Sequence, residues 1–255
     1  MIKTMSNPTP RAILFDLDGT LADTAPDLAA AMNLVRTRQG LMPAPYSALR
    51  PAASAGARGL IGAAYGLAPA DEGFEDLRVA FLDNYASALA VESRLFEGVT
   101  DLIGGLSEHG LAWGIVTNKA ARFTEPLVLQ IGLQDAACVI SGDTAAHPKP
   151  HPAPLLEAAR RLDLAPQDCW YVGDDLRDIQ AGQAAGMYTV AAAWGYCGAL
   201  APASWGADLV LATPLQLLEL IRSTCLRYRS GTNNIGTGSP HPSPLPEGEG
   251  ENGAR

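Results

Sequence analysis

Four apolar residues in a row, Ala12-Ile13-Leu14-Phe15, end abruptly at Asp16. An unbroken apolar run of this length, without polar alternation, predicts a strand buried on both faces of a parallel sheet. Similar runs recur at Ala112 to Thr117, Ala137 to Ser141, Cys169 to Val172, Tyr188 to Ala193 and Asp208 to Leu211, each ending near Gly, Asp or Asn. Between them the spacing turns helical. Asp101 to His109 carries Leu102, Ile103 and Leu106 and is stopped by Gly110, and Phe123 to Ile131 is stopped in the same way by Gly132. Pro154 to Leu162 and Asp175 to Ala185 complete the series, the last helix ending at Gly186.

This alternation, from residue 99 to about 222, predicts an α/β fold: a Rossmann-like, doubly wound, mostly parallel sheet with helices on both faces and ligand sites outside the carboxyl ends of its strands. From Ala22 to about Leu95 the alternation breaks, and the chain becomes Ala- and Leu-rich with helical spacing and no convincing strand. The expected organisation is a core formed by residues 11–22 and 96–224 with a helical cap inserted at 23–95. Residues 230–255 are dense in Gly, Pro, Ser and Glu with little to bury, the composition of a disordered tail.

Charge and cysteine content narrow the function classes. With 27 acidic and 18 basic residues the net charge is −9, which disfavours a broad grip on nucleic acid or anionic lipid. Any bound phosphate must then be neutralised locally. No apolar run approaches the roughly 18 residues of a membrane span, and no secretory signal is expected in the first ten residues. Cys138, Cys169, Cys197 and Cys225 form no CxxC pair and read as free thiols of a cytoplasmic protein.

The candidate chemistry lies at the strand ends. Asp16-Leu17-Asp18-Gly19-Thr20 puts two carboxylates on a tight turn directly after the first strand. One can attack phosphorus while the other protonates the leaving oxygen and later activates water. Two such anions facing an anionic substrate call for a divalent cation, and oxygen ligands favour Mg2+. After the second strand, the Thr117 hydroxyl and the Asn118 backbone N–H are suited to phosphate oxygens. Lys149, set between prolines in His147-Pro148-Lys149-Pro150-His151-Pro152, sits on a stiff loop and can neutralise phosphate and nucleophile together. The prolines also prevent His147 and His151 from sharing a helical face, so they read as loop residues.

Asp174 follows the strand Tyr171-Val172-Gly173 and is a further metal-ligand candidate. Asp175 and Asp178 either support the metal shell or cap the next helix, where acidic residues are favoured anyway. In the cap, Arg58 within Ser54-Ala55-Gly56-Ala57-Arg58-Gly59 either meets a substrate carboxylate or is simply solvated.

Taken in order, Asp16/Asp18, Thr117, Lys149 and Asp174 on successive strand ends resemble the four motifs of the haloacid dehalogenase superfamily, over about residues 11 to 222. The resemblance implies Asp16 as nucleophile and metal ligand, Asp18 as acid/base and backbone ligand, and Asp174 as the third protein ligand of Mg2+. Dehalogenases of this fold lack the second Asp, and DLDGT looks more like phosphatases than sugar phosphomutases. The helical insertion resembles the cap of phosphoglycolate phosphatase-like enzymes. SRLFEGV, WGIVTNK, VGDDLRDIQAG and WGADLV look especially like the N-acetylmuramic acid 6-phosphate phosphatase branch.

The resemblance thus implies a magnesium-dependent phosphomonoesterase working through an aspartyl-phosphate on a small metabolite that carries a carboxylate, such as 2-phosphoglycolate or N-acetylmuramic acid 6-phosphate. A sugar phosphomutase of the same fold and a non-catalytic phosphometabolite-binding protein are the alternatives. The expected partner is a small phosphate ester, with neither nucleic acid nor membrane, and the chain is expected to be a monomer or homodimer.

Overall fold

The computed structural model describes residues 9–198 and 200–232. The chain begins with β1 (Ala12–Phe15) and β2 (Ala22–Asp23), then enters a helical stretch of α1 (Ala25–Arg38), α2 (Tyr46–Leu49), a 3-10 turn at Arg50–Ala55, α3 (Gly56–Tyr65) and α4 (Phe74–Ser87). It returns through β3 (Arg94–Leu95) to α5 (Val99–Glu108), β4 (Ala112–Val116), α6 (Ala121–Gln130), β5 (Cys138–Ile140) and α7 (Ala153–Arg161). The last elements are β6 (Cys169–Gly173), α8 (Leu176–Ala185), β7 (Tyr188–Ala192), β8 (Leu209–Leu211) and α9 (Pro214–Thr232).

Six strands form one sheet in the order β5-β4-β1-β6-β7-β8, and every pairing in it is parallel. This is the expected doubly wound α/β core. The absence of alternation in β1 now has its physical reason, since successive residues enter opposite layers and both layers are dry. Ile13 and Phe15 pack with Trp113, Ile115, Trp170 and Val172 on the side covered by α5 and α9. Ala12 and Leu14 join Tyr171 beneath α7 and α8.

Register then decides where the chemistry falls. Phe15 lies opposite Ile115 of β4 and Val172 of β6. The chain therefore leaves all three strands at one edge, carrying Asp16, Thr117 and Asp174 with it.

The helices of the insertion pack on one another, α1 against α4 and α3 against α4. The two ends of this stretch are tied by β2 and β3, paired antiparallel with Ala22 opposite Leu95 and Asp23 opposite Arg94. The sequence reading found no strand here, because a two-residue strand has no room for an alternating pattern. At the other end of the chain, α9 runs to Thr232 and buries Leu217, Leu218 and Ile221. The first three residues of the expected tail are thus helical, and the remainder of it lies outside the described residues. Among the described residues, no helix is long and apolar enough to cross a membrane, and Cys138, Cys169 and Cys197 are free.

One buried carboxylate fastens the returning chain to the insertion. Asp27, in the first turn of α1, accepts hydrogen bonds from the backbone N–H groups of Glu92 and Ser93 and from the Ser93 hydroxyl, the last at 2.6 Å. Removing it leaves buried donors without a partner, and bonds to a charged acceptor are the stronger kind. Asp27→Ala is expected to lower the unfolding free energy by about 2–3 kcal/mol in urea denaturation, and Asp27→Asn by less, because it keeps one acceptor oxygen.

Candidate active site

The turn after β1 depends on Gly19. Its φ is +89°, and a Cβ built there would lie 2.2 Å from an Asp174 carboxylate oxygen, so both backbone conformation and space demand glycine. The turn thereby presses Asp16, Asp18 and Thr20 against the end of β6. The resulting cleft is about 240 Å³. Its lining includes Asp16, Asp18, Thr117, Asn118, Lys149 and Asp178 from the core, with the 3-10 turn and the start of α3 opposite.

Lys149 is the hub of this site. Its ammonium, in a residue only 4% exposed, lies 2.9 Å from Asp16 Oδ1 and 2.7 Å from Asp178 Oδ1. It also donates to the Tyr171 hydroxyl and the Val116 carbonyl. Burial opposes its charge, but Asp16 and Asp178 outweigh burial and raise its pKa. The loop itself is held by a reciprocal pair, with Asn118 Nδ2 donating to the Lys149 carbonyl and the Lys149 N–H donating to Asn118 Oδ1. The Asn118 side chain is therefore a fastener for the lysine loop.

Asp16, Asp174 and Asp178 form a buried triad in which one carboxylate oxygen from each lies within 4.8 Å of the others. Burial raises the Asp16 carboxyl to about 7 against the pull of Lys149. Burial, with Asp16 and Asp178 adding to it, pushes Asp174 up to about 8. Asp174 is held from three sides, by the Thr20 hydroxyl at 2.9 Å, the Tyr196 N–H at 2.9 Å and the Ser54 hydroxyl at 3.1 Å. Asp175 and Asp178 also form the capping box of α8. Of the two uses their sequence positions left open, capping the helix is the one observed for both, and Asp178 also belongs to the buried triad.

Asp18 points elsewhere. Its carboxylate accepts from the Thr24 hydroxyl and pairs with Lys119 at 2.9 Å. The Lys119 ammonium also lies 4.8 Å from the centre of the Tyr85 ring, and although burial opposes its charge, Asp18 and Tyr85 raise its pKa. The Thr117 hydroxyl oxygen accepts from the Lys119 N–H at 3.1 Å, which leaves its proton for another acceptor.

With this arrangement in view, residues 13–192 match the profile of the haloacid dehalogenase-like hydrolases. The chain belongs to that family. Relatives within it include an N-acetylmuramic acid 6-phosphate phosphatase of Pseudomonas putida, 43% identical over 84% of this chain and 96% of the relative. A phosphoglycolate phosphatase of Xanthomonas campestris pv. campestris is 45% identical over 82% of this chain and 96% of its own length. In three dimensions the chain is similar to a predicted phosphoglycolate phosphatase from Haemophilus somnus, with a TM-score of 0.73 and 25% identity over 84% of this chain and 99% of that one.

For this haloacid dehalogenase-like hydrolase, the structure brings Asp16, Asp18, Thr117, Asn118 and Lys149 to one cleft, with Asp174 directly behind it. Arg58 is not among them: it is exposed on α3 and outside the cleft lining. The sequence reading gave no role to Lys119, Thr20, Thr24 or Tyr196. Lys119 stands directly after the Thr117-Asn118 motif and Thr24 only six residues after its partner Asp18, whereas Thr20 meets Asp174 across 154 residues.

The buried lysine makes a stability test possible. Lys149→Met leaves two carboxylates facing each other without their counter-charge, and breaking a buried pair on one side is strongly destabilising. The metal-free variant is expected to lose about 3 kcal/mol against wild type in chemical denaturation at pH 8.

Proposed function

We propose that this chain is a magnesium-dependent phosphomonoesterase acting on a small phosphate ester that also carries a carboxylate. The observation that carries the reading is Asp16 at the carboxyl end of β1, paired with Lys149 at 2.9 Å and grouped with the Asp174 and Asp178 carboxylates in a buried triad. In the reaction an Asp16 oxygen attacks phosphorus, the ester P–O bond breaks, and an aspartyl-phosphate forms. The Asp18 carboxyl gives its proton to the leaving alkoxide, so the alcohol departs neutral, and then takes a proton from water as that water attacks phosphorus. The second attack breaks the Asp16–phosphorus bond and yields inorganic phosphate.

The side chains around Asp16 support these steps. Lys149 offsets charge on Asp16 and on the phosphoryl oxygens. The Thr117 hydroxyl and the Asn118 backbone N–H are the donors for two further oxygens. Thr24 and Lys119 fix the Asp18 carboxylate beside the phosphoryl position.

The donor set fits Mg2+. Four carboxylates and three cationic side chains line the cleft, so its side chains leave no surplus of positive charge, and a phosphate dianion needs more. The triad is all oxygen and buried, the chemistry that suits a hard divalent ion. Asp16 and Asp174 would hold the ion, with the Asp18 carbonyl as the third protein ligand. Bound there, it supplies charge neutralisation for phosphate and keeps both carboxylates ionised. The substrate class rests on the relatives, since 2-phosphoglycolate and N-acetylmuramic acid 6-phosphate both combine a phosphate monoester with a carboxylate.

Phosphate release should appear with Mg2+, disappear with EDTA and return when the metal is restored. Asp16→Asn is expected to lower kcat by about a thousandfold or more, with the fold retained by circular dichroism. Near-normal turnover by this variant would remove Asp16 as nucleophile. Asp18→Asn should cost about 100- to 10,000-fold, least on esters whose leaving group needs no proton.

A further inference from the structure

The cleft has a second cation system that the phosphate chemistry does not use. Among the cleft-lining residues, the cations are Lys119, Lys149 and Arg177. Both lysines are committed, Lys119 to Asp18 and Lys149 to Asp16 and Asp178. Arg177, at the start of α8, is paired as well, to Asp175, but its side chain remains 24% exposed where those of the lysines are buried.

Asp175 holds the guanidinium along one edge. Arg177 Nε donates to Asp175 Oδ1 at 2.8 Å and Nη2 to Asp175 Oδ2 at 3.0 Å, a bidentate grip that fixes the plane of the group. Nη2 also donates to the Ser54 carbonyl at 2.8 Å. Nη1 has no partner among the described residues. A guanidinium whose plane is already fixed, with one edge open into a cleft, loses little freedom on meeting a further oxygen acid.

The facing wall has no charge of its own. It is formed by Ala53, Ser54, Ala55, Gly56 and Ala57, while Arg58 lies exposed outside it. Gly56 and Ala57 are the first residues of α3, so the positive end of that helix adjoins the same space. We infer that Arg177 is the specificity-determining residue, its open Nη1 edge receiving the substrate's carboxylate while the phosphate lies at Asp16 and Lys149. This rests on the phosphatase reading above and assigns the half of the substrate that the reading leaves without a partner.

The test uses two matched pairs of esters with the full chain and Mg2+. The pairs are 2-phosphoglycolate against ethyl phosphate, and N-acetylmuramic acid 6-phosphate against N-acetylglucosamine 6-phosphate; in each, the members differ by the group bearing the carboxylate. Wild type is expected to prefer the acid in one pair, and that pair identifies the source of the carboxylate. Arg177→Met is expected to cut that preference, as a ratio of kcat/KM values, by about 10- to 100-fold, the loss of one charged hydrogen-bonded contact. Arg177→Lys, which keeps the charge without the fork, should retain part of the preference and carries the same test if the Met variant does not fold.

Equal losses on both members of the preferred pair would overturn the proposal and leave Arg177 as a fastening to Ser54, with the phosphatase reading intact. Wild type with no preference in either pair would also overturn it. No magnesium-dependent phosphate release from any of the four esters would bring down the phosphatase reading and this inference together.

Discussion

A single ammonium group organises the catalytic edge of this protein. Lys149 Nζ shares three protons among four oxygens, from Asp16, Asp178, Tyr171 and the Val116 carbonyl. Those oxygens come from the ends of β1 and β4, from β6 and from the first turn of α8. The contact therefore fixes the relative height of three neighbouring strands where the chain leaves them. It also sets a requirement, because carboxylates this close and this dry do not stay ionised without nearby positive charge. Burial raises both Asp16 and Asp174, and at Asp16 the contact with Lys149 works against that rise.

The helical insertion is coupled to this edge through few but specific groups. Ser54 donates to Asp174 and receives Arg177, so one residue of the 3-10 turn touches both the acidic triad and the basic residue beside it. At the root of the insertion, the Tyr196 hydroxyl accepts from the Thr24 and Ala25 N–H groups and donates to Asp23, while the Tyr196 N–H donates to Asp174. Tyr196 thus ties the first turn of α1 to the same carboxylate. The insertion and its root thus meet Asp174 through two separate residues, Ser54 and Tyr196.

The legible parts of the sequence were those governed by local pattern. Continuous apolar runs gave the strands because both faces of the sheet are covered, and glycines such as Gly110, Gly132 and Gly186 gave helix ends because they follow the last helical turn. The strand-end motifs were readable for the same reason, since a parallel sheet places the residues after β1, β4 and β6 on one edge by topology alone. What escaped was long-range pairing. Thr20 with Asp174, Lys119 with Asp18, and Arg177 with Ser54 span 154, 101 and 123 residues, and a single sequence carries no signal for such partners. Arg58, for which the sequence left binding and solvation equally open, is exposed on α3 and outside the cleft lining, while the cation at the cleft's exposed side is Arg177, inside the fourth motif.

The net charge of −9 makes the local arrangement more demanding. A phosphate ester approaching this protein meets a repulsive long-range field, which salt screens beyond about 8–10 Å. Affinity must then come from groups that salt does not reach, and Lys149, the buried cation at the ends of β1 and β4, is such a group. Burial also explains why so much supporting structure surrounds each charge. Lys119, Thr24, Thr20 and Tyr196 touch the carboxylates to keep them oriented, since a buried ionised group without hydrogen bonds would be lost to protonation before it could act. The density of polar contacts at one edge of an otherwise apolar sheet is thus the consequence of doing anion chemistry inside an acidic protein.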